Sequence, residues 1–446
     1  MKKTSLIGHI LEALELIRSQ PRPADALLAD FFRRRHYLGS KDRRFIAETV
    51  YGILRNYLLL DTCVAESRAR VDPAHAARPS TSRELYLGYA RLISKEAPAA
   101  IISEVESFWA DAGAETGPAR LLDAIDRIPI PPAGADPIQR LALSHSIPES
   151  IVREWVVRYG EEEADLLCEA SNAPAPITIR VNTLRCTVGE CQVMLQKEGL
   201  PSARTRLSPT GLVLGKRVNV QALRTFREGA FEMQDEGSQL VSLLLEPAPG
   251  ARVVDACAGA GGKTLHIAAL MQNTGSVLAI DSEKRRLDAL RERCVRAGVT
   301  IVRTCEAGDQ LMHRSKREAE AVLIDAPCTG VGTFRRNPGA KMGFTPHSLP
   351  EAVRRQHSIL EEYSRLLKPG GRLVYATCSL LMEENEEVVG RFLRDHPEFH
   401  PVPASEILAR QGIALPSPSP YLTLLPHRTG TDGFFAAVLQ LPALRD

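Results

Sequence analysis

Residues 250–441 alternate short apolar runs with amphipathic ones, and no other feature of this 446-residue chain restricts the fold as much. Strand candidates are Arg252–Ala256, Val277–Asp281, Ile301–Cys305, Ala321–Asp325, Arg372–Thr377 and Phe434–Leu441. Helix candidates fall between them, around 263–272, 283–297, 348–367 and 383–395. Short apolar strands alternating with helices predict an α/β fold with a mainly parallel sheet covered on both faces. Ligands of such sheets sit beyond the carboxyl ends of the strands. The chemically unusual residues fall at those ends: Cys257, Asp281, Asp325, Cys328 and Cys378.

Upstream the pattern changes. Residues 1–130 read as helical, because Leu6, Ile7, Ile10, Leu11, Leu14 and Ile17 recur at helical spacing. So do Phe45, Ile46, Thr49, Val50, Ile53, Leu54 and Tyr57. Gly39-Ser40 breaks the chain before a helix start at Lys41-Asp42. Pro129, Pro131, Pro132, Gly134 and Pro137 form the strongest linker signal and predict a domain boundary. Residues 140–235 read as a mixed α/β segment, in which Ile177–Asn182 alternates as a strand should and a helical stretch follows to Leu200. The expected division is a helical domain at 1–135, a small α/β segment at 140–240 and the larger α/β domain at 241–446.

The chain is 44% hydrophobic and 25% charged, within the range of globular proteins, which argues against disorder throughout. It has no apolar run of the ~18 residues that a membrane span needs. Behind the basic start Met1-Lys2-Lys3-Thr4, Glu12 and Glu15 interrupt the apolar block of a signal peptide. A cytoplasmic protein without a membrane partner is expected. Net charge is only +2, but residues 1–60 carry a net +5 and residues 177–227 a net +7. Such local excess suits a polyanion, and a solvated basic face fits it equally. The nine cysteines are an odd number, widely spaced and without a C-x-x-C pair, which argues against a disulfide framework. Clustered metal ligands are not visible, so no metal is expected. Each cysteine is then an apolar filler or a working thiol.

Val253 to Thr264 reads as strand, glycine-rich turn and helix. Glycines let a backbone approach a ligand, and the helix start offers free N–H groups. A phosphate-binding P-loop fits the ending Gly262-Lys263-Thr264, but its first glycine would fall on Cys257. A dinucleotide and S-adenosylmethionine both remain. Each wants an acid for its ribose hydroxyls, and Asp281 ends the next strand 19 residues beyond Gly262. The same acid could merely cap the helix that begins at Ser282-Glu283.

Ile324-Asp325-Ala326-Pro327-Cys328-Thr329-Gly330 follows one strand, and Tyr375-Ala376-Thr377-Cys378-Ser379 ends the next. Filler cysteines lie within strands or on apolar helix faces, so two thiols at neighbouring strand ends point to chemistry. Carbon 5 of cytosine is a poor nucleophile. A thiolate that adds to carbon 6 turns the ring into an enamine, and carbon 5 can then attack a sulfonium methyl group. Asp325 is placed to stabilise the ring's charge, either as a protonated carboxyl or through N3 and N4. A second thiol could assist release.

Together, Asp255–Thr264, the Asp325-Ala-Pro-Cys328 element and Ala376-Thr-Cys378-Ser379 resemble the RNA 5-methylcytosine methyltransferases of the RsmB/NSUN/Nop family. Ile179–Leu184 resembles its strand ahead of the catalytic fold, Gln234–Gln239 the helix leading in, and Arg335-Arg336-Asn337-Pro338 its basic stretch. Residues 42–46 and 50–55 are similar to the NusB-like helical RNA-binding domain of the RsmB type, which acts on small-subunit ribosomal RNA. The resemblance implies a Rossmann-like class I methyltransferase behind an all-helical NusB-like domain. It implies Cys378 as nucleophile, Cys328 as the release thiol and Asp325 beside them. Cys257, Ala258, Gly259, Ala260, Gly261, Gly262 and Lys263, with Asp281, Asp309 and Asp325, would surround S-adenosylmethionine. The chain departs from the family at Gly259-Ala260, where Ala-Pro is usual, at Thr329, and at Met342, where Trp is common.

RNA would be the partner, with no obligate protein partner. Its phosphates would meet Arg180, Arg204, Arg206, Arg335, Arg336 and Lys341, and Asn182 is expected among the RNA-binding residues with them. The target base must leave any stack to reach a thiol at a strand end. Two rival readings are a DNA cytosine methyltransferase led by Cys328, and an RNA-binding assembly factor that no longer turns over.

Overall fold

Two compact units make up the chain: Met1–Ala173 with Phe334–Phe344, and Pro174–Thr333 with Thr345–Asp446. The computed structural model describes residues 1–20, 22–110, 117–131, 134–309, 317–415 and 419–443, so Pro132 of the linker signal lies outside the described residues.

The first unit is helical. Leu6, Ile7, Ile10, Leu14 and Ile17 of helix Lys3–Ser19 share one core with Ile46, Val50, Ile53 and Leu54 of helix Ser40–Arg55. The apolar stripe at helical spacing is what places them there. Asp42 in the first turn of the second helix accepts the Gly39 N–H at 3.2 Å, which fixes the helix start beside the expected break. After the proline-rich stretch the unit goes on. Asp136 caps helix Pro137–His145 by accepting the Gln139 N–H at 2.8 Å, with Pro137 in its first turn. Helices Glu149–Tyr159 and Glu161–Asn172 follow, so the residues just beyond 140 are helical and the change to mixed structure comes near Pro174. No described helix of the chain is long and apolar enough to cross a membrane.

The second unit opens with a four-stranded antiparallel sheet of β1 (Thr178–Val181), β2 (Ser202–Arg204), β3 (Gly211–Leu214) and β4 (Phe231–Met233), in the order β2-β3-β1-β4. Helix Val188–Lys197 closes over it, with Cys191 and Leu195 in a core with Ile179, Val181, Leu212, Leu214 and Phe231.

The larger sheet has eight strands: β5 (Arg252–Asp255), β6 (Ser276–Asp281), β7 (Val302–Glu306), β8 (Ala319–Asp325), β9 (Leu367–Thr377), β10 (His400–Val402), β11 (Leu422–Leu424) and β12 (Phe434–Gln440). The order is β10-β12-β9-β8-β5-β6-β7, with β11 also on β12. β9-β8-β5-β6-β7 are parallel, and β12 runs antiparallel to β9. Side chains alternate between two cores. Val253, Leu323, Val374 and Ala436 face one; Val254, Ile324, Tyr375 and Phe435 face the other. Helices Glu236–Leu244 and Gly262–Leu270 cover the first face, and Leu349–Ser364 and Glu386–Asp395 the second. This is the Rossmann-like class I fold, and the strand order reverses between β5 and β8. Such a reversal opens a crevice beyond the carboxyl ends of both strands.

Candidate active site

The turn after β5 is shaped by what surrounds it. Gly261 has φ +87, and a Cβ there would run into Leu290 of helix Lys284–Ala297. Only glycine combines that backbone with so close an approach. Gly259 has φ +53 and faces open space. Asp281 at the end of β6 accepts the Gly259 N–H at 2.9 Å and the Glu283 N–H at 2.8 Å. It therefore holds the turn and caps the next helix together. Each carboxylate oxygen keeps acceptor capacity for a hydroxyl. The open side of Gly259, the unpaired N–H groups of the first turn of helix Gly262–Leu270 and this acid fit the ribose and carboxylate of an adenosyl cofactor.

Beneath the turn, Asp255 is fully buried and accepts the Thr264 hydroxyl at 2.6 Å. Burial pushes its carboxyl up to about 7, with Asp325 and Asp281 adding to the rise against Thr264 and Lys263. Lys263 places its ammonium 2.7 Å from Asp325. Burial works against that charge, but Asp325 outweighs it, helped by Cys378 and Asp255, and the ammonium is held above the ordinary lysine value. Cys257 is pushed well up by burial and by the acids around it, so it remains an inert thiol. Asp309 is exposed, donates its N–H to the Glu306 carbonyl at 3.1 Å, and precedes residues outside the described set.

Cys328 and Cys378 bring their sulfurs to 3.4 Å. The parallel pairing of β8 and β9 sets Asp325 opposite Ala376, so both thiol-bearing turns leave the sheet side by side. The sulfur of Cys378 and burial together raise the Cys328 thiol well above its ordinary value. Cys328 therefore keeps its proton while facing its neighbour.

The sequence reading passes over three residues that grip these turns. Glu384 and Gln356 are fully buried and Asn385 nearly so, and all three hydrogen-bond the segments that carry the cysteines. The only signal for the two that follow Cys378 is a polar run, Glu383-Glu384-Asn385-Glu386, where a solvated helix start would do equally well.

The expected RNA contacts divide by burial. Arg204, Arg206 and Arg336 are exposed. Arg180 is only 2% exposed, and its guanidinium donates to the Gly262 carbonyl at 2.6 Å and to Gln234. It braces the cofactor turn from inside and offers nothing to a phosphate, which corrects the expectation for it. Asn182 is corrected likewise: it is buried and donates to the Gly229 and Ala297 carbonyls, both at 2.9 Å. Arg335 and Lys341 are also buried, in the segment that belongs to the helical unit. Lys341 donates to the Arg55 carbonyl at 3.0 Å and to Asn172, and burial lowers it to about 7. Among the described residues, folding gathers one set of potential metal ligands, His357, Glu361 and Asp395, which the sequence spacing does not show. His396, 2.8 Å from Glu361, and Arg391, 3.8 Å from Asp395, tie these acids into an ion-pair network.

Comparison with known proteins agrees with this geometry. The family model described as "16S rRNA methyltransferase RsmB/F" matches residues 242–440, and a "Methyltr_RsmF/B-like, ferredoxin-like domain" matches residues 147–221. The chain is 32% identical over 444 residues to a Bacillus subtilis (strain 168) protein named "Probable ribosomal RNA small subunit methyltransferase B", covering 98% of each. It is 32% identical to the "Ribosomal RNA small subunit methyltransferase B" of Pseudomonas putida over 68% of this chain and 67% of that one. Among solved structures, the crystal structure of PH0851 has a TM-score of 0.80 at 29% identity over 98% of both chains. The structure of NSun6 from Pyrococcus horikoshii with SFG has a TM-score of 0.59 at 24% identity, over 67% of this chain and 99% of that one, and shares the fold. The cofactor of this fold and family is S-adenosylmethionine, in keeping with the turn after β5. The chain belongs to the RsmB/F methyltransferase family.

Proposed function

We propose that the protein methylates carbon 5 of a cytidine in small-subunit ribosomal RNA, with Cys378 as the nucleophile. The observation that carries this reading is the 3.4 Å approach of Cys378 and Cys328 at neighbouring strand ends, beside the Lys263–Asp325 pair. The relatives' names supply the RNA class. The two thiols support the carbon 5 chemistry, since a nitrogen or ribose oxygen needs no thiol to accept a methyl group.

When bound, S-adenosylmethionine supplies an electrophilic sulfonium methyl group. The backbone from Cys257 to Lys263 and the acids Asp281, Asp309 and Asp325 are the groups we assign to holding it. Cys378 adds as thiolate to carbon 6, and the carbon 5–carbon 6 electron pair becomes available at carbon 5. Asp325 orients the ring through N3 and N4, and the ammonium of Lys263 offsets the charge that develops. After carbon 5 has taken the methyl group, its proton leaves to a base. The double bond re-forms as the carbon 6–sulfur bond breaks. Cys328, which keeps its own proton, donates to the departing sulfur of Cys378. The second thiol, at Cys378 and 3.4 Å from the first, disfavours the scheme of DNA enzymes led by Cys328 alone.

In the same reading the helical domain at 1–135 is a NusB-like RNA-binding domain, the α/β segment built on β1 to β4 presents Arg204 and Arg206 to phosphates, and residues 241–446 carry the chemistry. The test offers radiolabelled S-adenosylmethionine with unmodified small-subunit ribosomal RNA, transfer RNA and DNA side by side, followed by nucleoside analysis. Label in 5-methylcytidine from ribosomal RNA is expected. Cys378→Ala is expected to abolish it while cofactor affinity stays. Label in another nucleoside, or turnover by Cys378→Ala near that of the parent, would overturn the reading.

A further inference from the structure

Each of the two thiols is held by the residues on either side of it, and the holders are neighbours. On the Cys328 side, the Glu384 carboxylate accepts the Thr329 N–H at 2.8 Å and the Thr329 hydroxyl at 2.5 Å. It also accepts the Gln356 amide at 2.8 Å, and that amide donates to the Pro327 carbonyl at 3.0 Å. Residues 327 and 329 are thus both tied to Glu384, one directly and one through Gln356. On the Cys378 side, Asn385 accepts the Thr377 hydroxyl at 2.5 Å and donates to the Ser379 carbonyl at 3.0 Å. Tyr375 in β9 donates to the Glu384 carbonyl at 2.7 Å, which fastens the dipeptide to the strand that carries Cys378. Glu384, Gln356 and Asn385 are 0%, 0% and 2% exposed.

A buried carboxylate whose hydrogen bonds come from uncharged donors is costly to a fold. A packed apolar side chain would serve a purely structural purpose at less cost. The carboxylate does what an apolar group cannot: it gathers N–H and O–H donors from one turn onto a fixed point. Its charge also adds to the rise of the Cys328 thiol, which favours the protonated form.

We infer that Glu384 and Asn385 are positioning residues that set the spacing of the two thiols, Glu384 aligning Cys328 for release and Asn385 aligning Cys378 for attack. The inference rests on the two-thiol reading above. It requires the two positions to fail at different steps. Misplacing a reacting group by about 1 Å can cost about 100-fold in rate. Glu384→Gln keeps the shape and loses the charge, so turnover is expected to fall by that order while a covalent protein–RNA species builds up. Asn385→Ala is expected to lower turnover without accumulation, because attack itself is slowed.

The experiment uses the full-length protein with S-adenosylmethionine and small-subunit ribosomal RNA, and reads methyl transfer together with the slow-migrating adduct on a denaturing gel. Cys328→Ala is run beside the variants, and Asn385→Ala is also built into Cys328→Ala. The expected result is adduct in Glu384→Gln, as in Cys328→Ala, and at least about tenfold less adduct in the double variant than in Cys328→Ala. If Glu384→Gln does not fold, Thr329→Val removes one donor from the same carboxylate and is expected to accumulate adduct too. Parent-like turnover in Glu384→Gln, loss of turnover without adduct, or undiminished adduct in the double variant would overturn the positioning roles. Absence of adduct from a cofactor-binding Cys328→Ala would instead overturn the two-thiol reading on which they rest.

Discussion

Replacing Asp255 by Asn should make the protein's stability less dependent on pH, and the size of the effect follows from burial. Asp255 lies at the end of β5 with no exposed surface, and one of its oxygens has no hydrogen-bond partner among the described residues. Removing a carboxylate from water favours its neutral form, and here burial outweighs the Thr264 hydrogen bond and the Lys263 charge that oppose it. The folded value is about 7, against 3.8 for an unperturbed aspartate. Because the folded value is raised, the group's contribution is complete below the unfolded value and is lost as pH rises through the folded one. The full span is about 4 kcal/mol at 1.36 kcal/mol per pKa unit. About 3 kcal/mol of it falls between about pH 5 and about pH 8, the range in which unfolding is measured. Asn is neutral throughout and still offers an oxygen to Thr264, whose hydroxyl lies 2.6 Å from the native carboxylate. Urea midpoints of the parent and Asp255→Asn, taken across that range, should therefore converge or cross in favour of Asn as pH rises. Parallel curves would refute the reasoning, because they would mean that Asp255 exchanges no proton on unfolding in this window.

Three further outcomes follow from the site. Gly261→Ala must place a Cβ against Leu290 at a φ that L residues avoid, so it should cost about 1–3 kcal/mol in urea unfolding and weaken cofactor binding in calorimetry; Gly259→Ala, facing open space, should cost about 1 kcal/mol. Arg180→Met should lower stability by about 3 kcal/mol, since it strands the Gly262 carbonyl and Gln234, yet leave the salt dependence of RNA binding unchanged; Arg204→Ala should keep stability and reduce that salt slope by about 1. Lys263→Met removes the cation 2.7 Å from Asp325 and should lower single-turnover methyl transfer about 100-fold; parent-like transfer would show that the pair plays no part in the reaction.

Much of the fold was legible because its causes are local. The strands β5, β6, β7, β8, β9 and β12 and the four helices between them lie within a few residues of the expected spans, since apolar runs and periodicity are properties of neighbouring residues. The residues just beyond 140 were harder. The mixed character belongs to Ile177–Asn182, whereas Glu149–Asn172 is helical, and a proline-rich stretch marks a loop without saying whether the packing unit ends there. The long antiparallel pairing of β12 with β9 was likewise not readable, because strand direction depends on where the chain returns.

The site divides along the same line. The sequence by itself determined the chemical inventory: a glycine turn after one strand, an acid after the next, and a cysteine after each of two more. Those follow from residue type and from position relative to strand ends. Only the tertiary structure decided what each group faces. It buried Arg180 and Asn182, which charge and motif had set among the RNA contacts, because a guanidinium or amide reads the same in sequence whether it meets water or a backbone carbonyl. It drew Lys263 to Asp325 across 62 positions and Glu384 to Thr329 across 55. It brought two sulfurs 50 residues apart in sequence to 3.4 Å. Burial and through-space distance set the charge state and partners of a side chain, and both arise only when the β8 and β9 ends lie side by side.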